Sequence, residues 1–306
     1  MHSLIVFYFV ALEESITAAA EKLCLTQPTV TYHIRALERN VGLKLLDVKR
    51  QKVSLTQAGA GLYKYVTEIY HQMTGAEKYL ENLKEASLRV GISTTFSSCL
   101  TSAASAFEKA NPHVKLVIKS ASSYEIAEAV YESEVDLGIV VSADYENPKL
   151  KSVALSEQEQ LVLVASPNST IAQRPKLAFV NLCGYPLILG PETSATRRLI
   201  LNKIRAGGCH MPSPIIVEVN SSEWGINLVE NGEGVGCHHI RAVEREIEEG
   251  RLKVLALNGD IFVGAEAILR GDAPEHPMAQ KFISLVKDCL NNKHEKTKPR
   301  LTAQRN

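Results

Sequence analysis

The apolar positions between Ile16 and Leu37, in the stretch ITAAAEKLCLTQPTVTYHIRAL, describe two short helices joined by a tight turn. Ala18, Ala19 and Ala20 are small enough for a second helix to approach closely, and Leu23 and Leu25 carry the apolar face into the turn. Val30, Ile34, Leu37 and Val41 then follow at spacings that predict one helical face turned to a core. Thr26 stands where a hydroxyl can cap free N–H groups, and Pro28 falls in a first turn, where its missing N–H costs nothing. Leu4 to Leu12 predicts a preceding helix, and Lys44 to Leu55 two short strands around the basic tip Lys49, Arg50, Gln51, Lys52. After Thr56, the positions Leu62, Val66, Ile69, Met73, Ala76, Leu80 and Leu83 alternate spacings of four and three, which is an a/d seam. A lone helix cannot bury so narrow a stripe against itself, so the expected partner is the same helix of a second chain. Gly75 within it costs about 1 kcal/mol relative to Ala and is expected to mark a bend or a close approach of two chains.

From Leu88 the pattern becomes strands alternating with helices: LRVGI, VKLVI and DLGIVV, then QLVLVA, YPLIL, PIIVEV, GVGC and LKVLAL, with FVGAEAIL and a last helix carrying Met278, Phe282, Leu285, Val286 and Cys289. This predicts an α/β domain with a largely parallel sheet, in two lobes whose connections cross near Val162 and Ala265. The whole is expected to be α+β. Residues 1–60 form a winged helix-turn-helix, 61–87 a linker helix that dimerises, 88–290 the two-lobed domain, and 291–306 a basic, disordered tail.

The 306 residues carry no net formal charge, but residues 1–60 hold seven basic against five acidic side chains, with the positive ones gathered at the second helix and the strand tip. Six widely spaced cysteines with no CxxC pair predict reduced thiols and a cytoplasmic protein rather than a disulfide framework. No stretch reaches membrane-spanning length, and no membrane partner is expected. Gln27, Thr29, Thr31, Tyr32, His33 and Arg35 on the outward face are groups that read base edges or hold phosphates, and with Thr26 and Pro28 at the helix start they are the candidate DNA-binding residues, so double-stranded DNA is the expected partner.

AAEKLCLTQPTVTYHIRALERNVGLKLL followed by LTQAG resembles the N-terminal domain of the LysR-type transcriptional regulators. Thr26 and Thr31 stand where members usually carry Ser, Leu46 near a usual Phe and Val48 near a usual Arg; Lys49, Arg50 and Lys52 lie close enough to supply the phosphate contact. Beyond residue 90 the resemblance is of pattern, to the family's periplasmic-binding-protein-like effector domain. It implies palindromic promoter sites, a small-molecule effector held between the lobes, and dimers that assemble into tetramers. The family also includes peroxide sensors with a Cys pair in the second lobe near the helix that here runs from Ser194 to Ala206. That helix has no cysteine and Cys183 and Cys209 only flank it, so the resemblance does not imply a disulfide switch in this chain.

The resemblance and the chemistry of strand-to-helix edges point to the same effector residues: Ser93, Thr94, Thr95, Ser97 and Ser98 after the first strand, and Thr193, Asn220 and Ser221 in the second lobe. Hydroxyls and free N–H groups there suit a small anion. Each polar run has a plainer reading as a helix cap, and Asn220 with Glu223 matches a capping box. Cys237, His238 and His239 do not predict a metal, because neighbours on a strand point to opposite faces. No GxSxG, P-loop, dinucleotide or HExxH signature occurs, so neither catalysis nor a cofactor is expected. The alternatives are a stand-alone ligand-binding protein and a thiol-based redox regulator.

Overall fold

The computed structural model describes residues 2–49, 52–142, 147–209 and 215–291. Arg50 and the tail expected to be disordered, from 292 onward, lie outside them. The chain divides into two compact units, with the division between Lys78 and Tyr79.

In the first unit, α1 (His2–Glu13), α2 (Ile16–Lys22) and α3 (Gln27–Val41) precede a hairpin of β1 (Leu46–Lys49) and β2 (Lys52–Leu55), and α4 (Gln57–Glu85) begins at once. Val6, Phe7, Val10, Ala19, Val30, Ile34 and Leu37 form the core. Val41 continues their spacing but is exposed, because the helix ends there at Gly42, whose φ of 71° allows the left-handed cap. Thr56 starts α4 as expected: its Oγ1 accepts from the Gly59 N–H at 3.0 Å and donates to the Lys44 carbonyl at 2.7 Å, tying the helix to the hairpin.

Only part of the predicted seam is left for a partner chain. Leu62 and Val66 pack into the unit's own core, and Tyr63 and Tyr70 stack on Tyr8. Ile69 and Leu80 are exposed, at 44% and 64%. The helix runs through Gly75 without interruption.

The second unit is built on one nine-stranded sheet, ordered β4-β3-β5-β11-β6-β9-β7-β8 with β10 beside β6. Its first lobe holds β3 (Ser87–Ser93), α5 (Thr101–Ala110), β4 (Lys115–Ala121), α6 (Ser123–Tyr131) and β5 (Leu137–Val141). Its second holds β7 (Leu187–Leu189), α7 (Ala195–Ala206), β8 (Ile215–Glu218), α8 (Ser222–Glu230), β9 (Val235–His239), α9 (Glu244–Glu248) and β10 (Lys253–Val254). Two long strands, β6 (Leu150–Ala165) and β11 (Ile261–Arg270), run through both, and α10 (Ala279–Asn291) returns to pack on the first lobe. The expected crossings at Val162 and Ala265 fall on these two strands.

The sheet is mixed rather than largely parallel. β3, β4 and β5 are parallel, as are β7, β8 and β9, but every pairing made by β6 and β11 is antiparallel. Separate cores sit on either side, one around Phe96, Phe107 and Phe282, the other around Leu163, Leu182 and Ile200. Where the long strands pass from one to the other, their register slips beside Gly264. A Cβ there would stand 2.4 Å from Ser142 Oγ, so the close approach requires glycine.

The cysteines overturn the expectation of six reduced thiols. Cys183 and Cys209 are joined in a disulfide, their Cα atoms 6.0 Å apart across 26 positions of sequence. A separation this large left no local motif, and only the fold brings the pair together.

Candidate functional site

The outward face of α3 is set by its cap and by its contact with α2. Thr26 Oγ1 accepts from the Thr29 N–H at 3.4 Å and shares a 2.8 Å hydrogen bond with Thr29 Oγ1. Gln27 Nε2 donates to Thr17 Oγ1 at 3.0 Å, linking the exposed faces of the two helices. Gln27, Pro28, Thr31, Tyr32, Arg35 and Arg39 line one groove along this face, and Lys44 closes its end. Tyr32 is 63% exposed.

Two of the expected base readers stand apart from that groove. Thr29 spends its hydroxyl on the cap, and His33 turns toward α1, where its Nδ1 lies 3.3 Å from Ser3 Oγ and its ring packs edge-on to His2. The reason is the helical period: Thr29 and His33 lie between the outward positions and the buried Val30 and Ile34. Lys49 and Lys52 are register partners at the end of the hairpin backbone, and Lys52 is exposed.

Glu38 supports the hairpin from below. Its carboxylate accepts from the Leu45 N–H at 2.9 Å, the Leu46 N–H at 3.3 Å and Lys44 Nζ at 2.8 Å. Burial pushes its pKa up, but the hydrogen bonds from Lys44, Leu45 and Leu46 outweigh burial and hold it below the usual carboxylate value.

The second site is a narrow cleft of about 50 Å³ between the lobes. Thr94 and Thr95 form one wall; Ser194, Thr196, Arg197, Ser221 and Ser222 form the other, with His238 and His239 at the floor. The lobes meet directly where Thr95 Oγ1 and Thr196 Oγ1 share a 3.0 Å hydrogen bond. Ser194 caps α7 and Ser221 caps α8, so two helix N-termini open on the cleft. Arg197 is held in place by the Gly190 carbonyl at 3.0 Å and Glu218 at 2.8 Å.

Of the expected effector residues, Thr94, Thr95 and Ser221 line the cleft. The others lie elsewhere. The run after β3 is a turn, and α5 starts only at Thr101, so successive side chains point in different directions. Ser93 is buried and accepts from Ser123 Oγ; Ser97 bonds back to the Thr94 carbonyl and borders a different groove; Ser98 is exposed. Asn220 is exposed and yields the cap of α8 to Ser221, so the expected capping box with Glu223 is not formed. Thr193 sits beside the wall with a buried Oγ1 that has no hydrogen-bond partner among the described residues.

Ser194, Thr196, Arg197, Ser222, His238 and His239 were not expected as effector residues. The first three were legible as a polar helix start. The two histidines were not, because a strand end at a lobe boundary has no sequence signature. Burial pushes the His238 pKa down to about 4, and its Nε2 has no partner among the described residues. Its ring fits only because residue 236 is glycine, whose Cβ would lie 2.7 Å from Nε2. His239 lies 2.8 Å from Glu159 through its Nε2, and Arg241, which bonds the carbonyls of Cys289 and Leu290, stands beside the pair. No group of His, Cys, Asp and Glu suited to a metal occurs among the described residues.

Residues 1–60 match the family model for the bacterial regulatory helix-turn-helix protein, lysR family, and residues 81–290 match the LysR substrate binding domain. The chain belongs to the LysR family. It is therefore a DNA-binding transcriptional regulator with an effector-binding domain. Similar proteins include CbbR of Rhodospirillum rubrum, 28% identical over 92% of this chain and 94% of the relative, and the RuBisCO operon transcriptional regulator of Allochromatium vinosum, 25% identical over 85% of each. Among solved structures, OxyR of Corynebacterium glutamicum (C206 mutant) matches with a TM-score of 0.57 at 21% identity, covering 96% of this chain and 94% of that one. The regulatory domain of Synechocystis CcmR in complex with 2-PG matches at 0.59 and 18%, covering 67% and 98%. Full-length CbnR with its target DNA matches at 0.51 and 19%, covering 94% and 98%.

Proposed function

We propose that this LysR-family regulator reads DNA with the outer face of α3 and answers to a small anion in the interlobe cleft. Gln27, Thr31, Tyr32 and Arg35 meet the major groove, and Arg39, Lys44, Lys49, Lys52 and Arg50 hold phosphates. Residues 1–60 act as the DNA-binding domain and 88–290 as the effector domain. The exposed part of α4 pairs two chains, so the sites are imperfect palindromes. The protein works in the cytoplasm, where its DNA is, and binds its effector without transforming it.

The observation that carries the effector reading is the convergence of Thr94, Thr95, Ser194, Thr196, Ser221 and Ser222 with two helix N-termini and Arg197, and no carboxylate in the lining. Such a site favours negative charge, and its size favours compact oxyanions over aromatic acids. A ligand touching both walls adds to the Thr95–Thr196 contact and stabilises the closed arrangement of the lobes. Only that difference in affinity between arrangements can change DNA binding.

The test is a melting screen of the full chain with sulfate, phosphate and small carboxylates, repeated with Thr95→Val combined with Ser221→Ala. The variant is expected to lose the ligand-induced rise in Tm while binding unliganded DNA as before. A full ligand response in the variant would place the effector elsewhere.

A further inference from the structure

The Cys183–Cys209 disulfide bears on the helix that forms one wall of the cleft. Cys183 ends the 3-10 turn Phe179–Leu182, and Cys209 follows α7 by way of Gly207 and Gly208. α7 packs chiefly on that same turn, through a stripe of Ile200 and Ile204. Its other end carries Ser194, Thr196 and Arg197 into the cleft. A helix of twelve residues with so few buried side chains is marginal by itself and depends on what fastens its ends. One end is fastened by the Thr95–Thr196 hydrogen bond, the other by a covalent bond.

A regulator that works on cytoplasmic DNA sits among reducing thiols, where a disulfide persists only transiently. We propose that Cys183 and Cys209 form a reversible two-electron redox site whose state sets how firmly α7 holds the effector cleft. The second half of this proposal rests on the cleft reading above; the first half does not.

The chemistry is thiol–disulfide exchange. An external dithiol attacks as thiolate at the sulfur of Cys183, which is half-buried, whereas Cys209 is only 7% exposed. The S–S bond breaks, Cys209 leaves as a thiolate that takes a proton, and a mixed disulfide forms on Cys183. The second external thiol then displaces Cys183, leaving two protein thiols and one oxidised dithiol. A small disulfide runs the sequence in reverse, accepting two electrons and two protons. The remaining cysteines are poor competitors where burial governs them: Cys99 and Cys237 are both pushed up to about 12. Opening the bond frees the C-terminal end of α7 from the turn beneath it. The loosened helix must then be ordered again when a ligand binds, which weakens affinity.

The test uses the full-length protein, held oxidised by a small disulfide or reduced by dithiothreitol, and the Cys183→Ser variant. Alkylation after denaturation is expected to label four cysteines in the oxidised protein and six in the reduced one. Amide exchange across Ala195–Ala206 is expected to quicken about tenfold on reduction and equally in the variant. Sulfate and phosphate, followed by the fluorescence of the exposed sole tryptophan, Trp224, are expected to bind about tenfold more weakly in both. Six labels under both conditions would overturn the redox site, and unchanged exchange in α7 would overturn its hold on the helix. If α7 responds but neither anion alters Trp224 in either state, the redox site stands and the anion reading of the cleft falls. If the anions bind equally in both states, the coupling falls and the cleft remains.

Discussion

Glu38 shows how one buried side chain decides where a hairpin sits. It takes two backbone N–H groups that would otherwise be buried without partners, and it also holds the exposed Lys44 ammonium. Glu38→Ala is expected to destabilise the N-terminal unit by about 2 kcal/mol and to weaken binding to all DNA sequences alike, measured by denaturant unfolding and band shift. Because its folded pKa is depressed, this stability is present above the unfolded value and is lost as pH falls through the folded one. His238 acts in the same direction in a higher window. Its pKa is lowered to about 4 from 6.5, so the unfolded chain binds the extra proton between these values and stability falls as pH drops from 6.5 to 4. His238→Gln is expected to flatten the dependence of Tm on pH in that window while leaving the loss below pH 4. At the DNA face, Gln27→Ala is expected to cost on the order of 1–3 kcal/mol at one position of each half-site, whereas Lys52→Ala weakens every sequence and flattens the salt slope. Equal losses on specific and random DNA for Gln27→Ala would remove Gln27 from the base readers.

Among the elements, α4 serves two masters. Its first turns belong to the N-terminal core through Leu62 and Val66, and its later positions leave Ile69 and Leu80 in solvent. Exposed apolar side chains along one helix face are what an interaction surface presents. Asp at both Ile69 and Leu80 is expected to give monomers by light scattering and to weaken DNA binding, because a palindrome needs two recognition helices at fixed spacing. A double variant that remains dimeric with normal DNA affinity would move the interface elsewhere. The strands show the opposite economy: β6 and β11 each serve two lobes, and the slip in their register beside Gly264 lies where the two cores separate.

At the scale of the whole molecule, the proposed function links ligand and DNA through two arrangements of the lobes. An effector that favours one arrangement by about 1–3 kcal/mol changes DNA affinity roughly five- to 150-fold, and DNA must change effector affinity by the same factor. Measuring effector binding with and without operator DNA checks this; unequal factors would mean that the two sites do not share one equilibrium.

The sequence by itself determined the elements, because local periodicity and caps were enough: Thr26 opens α3, Thr56 opens α4, and each predicted strand of the second unit is present. It also carried the family, through the residues around Gln27 to Leu37. The start of β6 at Leu150 was not legible, since Leu150 to Gln160 mixes charged and apolar residues on a strand with differently covered faces. Tertiary structure alone decided which polar side chains share a cleft. Thr95 and Thr196 are 101 residues apart; Ser93 is buried at the end of β3, and the turn after it sends Ser97 and Ser98 away while Thr94 and Thr95 stay in the cleft. It likewise decided that His33 faces α1 and that Cys183 meets Cys209. Contacts between segments distant in the chain follow from how whole faces pack, and no local pattern encodes that packing.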